Sequence, residues 1–285
     1  MSWSEEDIQG IASRFAQLLE ALPADLDEDG NAILGLALLA RSRNARLLSQ
    51  ILEGSRNRAQ MQKRIDAVVQ AVVGKQYSLT QHGIVRTLSQ RYTEAMLTRV
   101  GETLLQFHTE LKANCGVESF ITSGTLLGIV RDGRVIPHDD DFDLAYVSAF
   151  STPSEILAER REIHLFLKDH PRFDAKTRPR KFTLQFREEG LRFYFDLFPA
   201  WIIEGRFSEV PLRPRALSGD DILPLGTVDF HGVPLPAPRN PEALLEVNYG
   251  PGWRTPDPSF RFDFNQYGKY YWFLQKDFRT WGTDG

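Results

Sequence analysis

The chain has 285 residues, 42% of them hydrophobic, and its 34 Lys and Arg against 38 Asp and Glu give a net charge of −4. That length and apolar content allow one or two domains with a full core and exclude disorder as the main state, while the mild acidity is the wrong sign for a general nucleic-acid binder. The single cysteine, Cys115, excludes an intrachain disulfide and a zinc cluster and fits a reducing cytoplasm, and no apolar run reaches the ~20 residues of a membrane span.

The acidic, polar start does not read as a secretory signal. Ser4 reads as a helix cap ahead of Glu5, Glu6 and Asp7, and Ile8, Ile11, Phe15, Leu18, Leu19 and Leu22 then recur at helical spacing until Pro23. A second helix is expected over about 32–51 and a third over about 57–73, stopped by Gly74. A fourth, over about 87–112, carries the stripe Leu88, Tyr92, Met96, Val100, Leu104, Phe107 and Leu111. The prediction is an α-helical N-terminal region over 1–112, followed by a second domain over 113–285. Two apparent motifs in the first region fail on inspection. Residues 25–31 resemble the start of a calcium loop, but its twelfth position is Leu36, which offers no carboxylate. Val73-Gly74-Lys75 lacks the upstream glycine and the Ser/Thr of a P-loop.

From Glu118 the pattern changes. Residues 119–122 read as a short strand, Ser123-Gly124 as a tight turn and residues 125–131 as a short helix. A strand, a glycine turn and a helix N-terminus together aim free N–H groups outward, an arrangement suited to phosphate. Next comes Asp139-Asp140-Asp141-Phe142-Asp143-Leu144. In a strand starting near Asp141, Asp141 and Asp143 share a face about 7 Å apart while Phe142 and Leu144 face a core. Two carboxylates on one face repel unless a cation lies between them, and oxygen ligands without His or Cys suit Mg²⁺ or Mn²⁺. A third carboxylate, Asp196, interrupts the strand candidate Phe193-Tyr194-Phe195-Asp196-Leu197-Phe198, which is apolar on both faces and so is expected to be central. Such an Asp is costly to bury unless it binds a metal or an arginine. Residues 181–187 alternate too, and with the turn at 188–190 they predict a hairpin into the Asp196 strand.

Ser123-Gly124-Thr125-Leu126-Leu127-Gly128, Arg131, Ile136-Pro137 and Asp139-Asp140-Asp141-Phe142-Asp143 resemble the signature of the LicD family, which includes fukutin and the fukutin-related protein. The likeness continues through Phe195-Asp196-Leu197-Phe198-Pro199, Leu223-Pro224-Leu225 and Val233-Pro234-Leu235-Pro236 to Asn248-Tyr249-Gly250, and departs at His138, where family members often carry Trp. The resemblance implies an α+β nucleotidyltransferase-like fold, a mixed β-sheet with flanking helices. It also implies transfer of a phospho-alcohol, phosphocholine or a polyol phosphate, from a CDP-activated donor to a glycan hydroxyl. On that basis Asp141, Asp143 and Asp196 would be metal ligands and catalytic residues. Ser123, Gly124 and Thr125 would hold donor phosphate oxygens, and Arg131 would help neutralise the diphosphate. Asp196 is the expected base, with Asp140 and His138 behind it. Two rivals stand: a true nucleotidyltransferase using NTP, and a non-catalytic nucleotide- or glycan-binding module. The aromatic and basic tail after Phe260 either seals the core or meets sugar rings or a membrane surface. The expected setting is the cytoplasm or the inner face of its membrane.

Overall fold

A computed structural model describes residues 77–80, 83–86, 88–136, 139, 141–256, 260, 263 and 266–275. The three helices expected before residue 74 lie outside the described residues, as do His138 and Asp140. The chain divides into two units, Met1–Arg91 with Pro256–Arg261, and Tyr92–Thr255 with Phe262–Gly285. The described part of the first holds an antiparallel hairpin of β1 (Tyr77–Thr80) and β2 (Gly83–Arg86), then the one-turn helix α1 (Leu88–Arg91). The helix predicted from residue 87 is therefore interrupted. Thr93 is extended, at φ −75° and ψ 166°, and its side chain accepts the Met96 N–H, so α2 (Glu94–Cys115) begins as a separately capped helix.

The second unit is built on a mixed seven-stranded sheet. Its strands are β3 (Glu118–Ile121), β4 (Phe142–Val147), β5 (Phe173–Thr177), β6 (Phe182–Glu188), β7 (Leu191–Ile203), β8 (Arg206–Glu209) and β9 (Leu217–Ser218). Five run in the order β3-β4-β7-β6-β5, and β7 also pairs β8. Only β4 and β7 pair in parallel; the other ladders are antiparallel. α3 (Ser123–Asp132) joins β3 to β4, and α4 (Pro153–Lys168) follows β4. A hairpin of β10 (Gly226–Phe230) and β11 (Val233–Ala237) and the helix α5 (Pro241–Tyr249) complete the unit.

β7 is central, as its two apolar faces require, and β6 turns into it through Glu189 and Gly190. One face of the sheet is aromatic. Phe195 lies 4.9 Å from Phe107 of α2 and 5.4 Å from Phe173, and Phe142 lies 5.7 Å from Phe193, all three pairs of rings edge-on or nearly so and buried. The Leu97, Val100, Leu104, Phe107 and Leu111 stripe of α2 is buried. Part of the C-terminal tail also packs. Tyr271 is 1% exposed, its hydroxyl donates toward the Glu209 and Leu212 carbonyls, and its ring lies 5.7 Å from Trp201. Trp272 is 56% exposed.

Candidate active site

The opposite face of β4 and β7 carries the charges. Phe142 and Leu144 point into the core at 1% and 2% exposure, so the residues that alternate with them, Asp141 and Asp143, fall on the other side and are half-buried. The parallel register sets Asp143 directly beside Asp196, and the antiparallel register sets Asp196 beside Thr183. One carboxylate oxygen from each of Asp141, Asp143 and Asp196 lies within 4.8 Å of the others, so the three expected acids do converge and could hold a metal ion.

Backbone geometry around α3 aims this cluster. Ser123 turns the chain from β3 into α3 with φ 47°, a left-handed conformation that costs a non-glycine residue about 1 kcal/mol or more. The Gly124 N–H then donates to Asp143 Oδ2 at 3.2 Å, and the Asp143 N–H donates to Thr125 Oγ1 at 2.8 Å. Thr125 is 2% exposed, so its hydroxyl is engaged with the backbone of β4. A Cβ on Gly124 would sit 2.5 Å from Asp139 Oδ2, so no side chain fits there while Asp139 keeps its place. Arg131 is at the far end of α3, where its guanidinium makes a two-point ion pair with Asp132 at 2.8 and 3.0 Å. The structure thus brings Ser123 and Gly124 to the carboxylates, gives Thr125 a positioning bond, and ties Arg131 to a neighbour.

Burial, followed by the charges of Asp139 and Asp196, pushes the Asp143 carboxyl well above the usual carboxylate range, while Lys181 and the Gly124 N–H pull it back. An all-oxygen donor set whose acids resist ionising together fits a hard divalent cation, which would relieve the repulsion. Asp196 is 2% exposed and is held from β6 and the residue before it: Thr183 donates to its Oδ1 at 2.8 Å and the Lys181 ammonium pairs with its Oδ2. The cation expected to accompany a buried Asp196 is therefore a lysine.

Four residues near this site went unassigned in the sequence. Asp139 joins the cluster next to Gly124, and the two-residue spacing Asp139-Asp141-Asp143 was its signal. Tyr249, the last residue of α5, has its phenol pushed well up by burial and by the charges of Asp143 and Asp139, which places it against the same acids; its signal was the Asn-Tyr-Gly run. Lys181 had the two-residue spacing to Thr183. Glu209 had no signal. It is 1% exposed, takes the Thr122 hydroxyl hydrogen bond at 2.7 Å just ahead of the Ser123 turn, and is pushed up by burial to about 8.

Among the described residues no helix is long and apolar enough to cross a membrane. No curated protein matches the chain. Residues 116–240 match the family model described as LicD/FKTN/FKRP, nucleotidyltransferase domain, a stretch that contains the Ser123 turn, the three converging acids, Asp139, Lys181 and Glu209. The match supports a transferase role in glycan modification. With the mixed sheet and the acidic cluster in place, residues 116–240 are similar to the nucleotidyltransferase domain of the LicD family.

Proposed function

We propose that the chain is a metal-dependent phosphotransferase that moves phosphocholine or a polyol phosphate from a CDP-activated donor to a hydroxyl of a cell-surface glycan. The observation that carries this reading is the convergence of Asp141, Asp143 and Asp196 within 4.8 Å beside a strained serine–glycine turn. These three acids would hold Mg²⁺ or Mn²⁺, which when bound supplies the positive charge that a diphosphate and a departing CMP need. Asp139 adds a fourth carboxylate to the same edge. Ser123, at the N-terminus of α3, takes a donor phosphate oxygen, where the helix dipole favours negative charge. Gly124 and Thr125 hold Asp143 by its carboxylate and its N–H. Arg131 contributes longer-range positive charge from the end of α3. Asp196 takes the proton of the attacking acceptor hydroxyl, and the reaction belongs in the cytoplasm or at the inner face of its membrane.

The test is to incubate the purified chain and Mg²⁺ with CDP-choline, CDP-ribitol and CDP-glycerol in the presence of glycan acceptors, and with CTP and ATP in parallel. Acceptor-dependent release of CMP is the expected result. Pyrophosphate release from CTP or ATP would replace this reading with nucleotidyl transfer. CDP binding without turnover of any donor would make the domain a binding module.

A further inference from the structure

We propose that Lys181 is a phosphate-binding residue of this site, one that holds Asp196 until a divalent cation takes that carboxylate and then contacts the donor diphosphate. This rests on the proposed function and deepens it. Lys181 stands immediately before β6, two residues from Thr183, which is the register partner of Asp196. Residues two apart share a face, so Lys181 and Asp196 lie on the same side of the sheet. The Lys181 ammonium pairs with Asp196 Oδ2 and sits 5.5 Å from the centre of the Phe198 ring, Phe198 being the next residue of β7 on that side. The two partners differ in access. The Asp196 side chain is 3% exposed and the Lys181 side chain is 34% exposed. The lysine therefore bridges from solvent to a buried acid.

Both Asp196 oxygens are engaged, Oδ1 by Thr183 and Oδ2 by Lys181. Metal ligation by Asp196 beside Asp141 and Asp143 sets a divalent charge next to the ammonium, and like charges at that range repel. An ammonium on a four-carbon stem, with three donors, can move a few ångströms while its backbone stays fixed. The backbone here is anchored. The Arg178 N–H donates to the Lys181 carbonyl at 2.8 Å, and the Arg178 carbonyl accepts from Arg160, which is 0% exposed and lies 5.1 Å over the Phe182 ring. An ammonium released at the mouth of the cluster, on the side open to solvent, faces the anion that arrives with the metal, and for this site that anion is a nucleoside diphosphate.

A salt bridge serving only to neutralise Asp196 would give a different result in one experiment. Wild type, Lys181→Met and Lys181→Arg are titrated by calorimetry, first with Mn²⁺ alone and then with CDP at saturating Mn²⁺. Lys181→Met is expected to bind Mn²⁺ severalfold more tightly, because no ammonium competes for Asp196. It is expected to bind CDP about tenfold more weakly, the loss of one charge-assisted hydrogen bond. Lys181→Arg, which keeps Asp196 paired, retains most of the CDP affinity. Unchanged CDP affinity in Lys181→Met overturns the proposal, and so does a change of the same sign for both ligands. Should Lys181→Met fold poorly, Lys181→Gln carries the same two expectations. Failure of wild type to bind either probe would remove the proposed function itself, whereas wild-type binding with no effect of the substitution removes only this inference.

Discussion

Two faces of the same pair of strands behave as opposites. On one, Phe195 meets Phe107 and Phe173 edge-on, Phe142 meets Phe193 in the same way, and all five rings are excluded from water. On the other, Asp141, Asp143 and Asp196 stand together within 4.8 Å, and burial with the charges of Asp139 and Asp196 pushes the Asp143 carboxyl up. The period of two residues in a β-strand makes both from one stretch of chain, so every other residue serves the fold and its neighbours serve the chemistry. The aromatic face supplies the stability that lets the acidic face remain unfavourable, a common arrangement at functional sites.

That contrast is sharpest in substitutions one residue apart. Phe195→Ala empties a ring from the dry face and should cost about 3–5 kcal/mol in chemical denaturation, with activity lost only as the fold is lost. Asp196→Asn should lower turnover at least ~10²-fold and also cost stability through the lost Lys181 pair, whereas Asp143→Asn should lower turnover as much while leaving the melting temperature near or above that of wild type, because a like charge is removed. A large fall in stability from Asp143→Asn would mean that this acid serves the fold. Gly124→Ala tests the close approach of Asp139. A Cβ at 2.5 Å from its carboxylate must push it aside, and overpacking of this kind costs about 1–3 kcal/mol. Its effect should appear as weaker nucleotide binding together with a lower melting temperature.

A pH-dependent effect concerns Glu209, buried behind the turn. Burial lifts its carboxyl from 4.5 to about 8, so the folded protein keeps a proton that the unfolded chain releases. The stability this group leaves intact is full below pH 4.5 and falls as pH rises toward 8, by at most about 1.4 kcal/mol per pH unit. Glu209→Gln, neutral throughout, should remove that part of the slope in denaturation measured from pH 5 to pH 8. Identical slopes in the two proteins would show that Glu209 is ionised in the fold.

The same contrast explains what the sequence could disclose. Asp141, Asp143 and Asp196 were legible because apolar neighbours on either side, Phe142 and Leu144, Phe195 and Leu197, fix which way each points. The hairpin into β7 was legible from its alternation and its glycine turn. The meeting of Asp143 with Asp196 was expected only through the family resemblance, because the register between two parallel strands is set by tertiary packing across the intervening α4, β5 and β6. Glu209 acts through a partner far away in sequence, Thr122, so local pattern gives it no mark. Thr125 stood in the motif, yet its burial turns the hydroxyl to the Asp143 backbone. The break between α1 and α2 was hidden because the apolar stripe runs on through Tyr92 although Thr93 takes an extended backbone.

The central claim is that the acidic face is a divalent-cation site serving a nucleoside diphosphate. Mn²⁺ titration of wild type, Asp143→Asn and Asp196→Asn, with CDP present and absent, tests it most directly. Saturable wild-type binding that CDP tightens, weakened at least ~10-fold in both variants, is the expected result. Variants that bind Mn²⁺ as well as wild type does, or a wild type that binds none, would contradict the account.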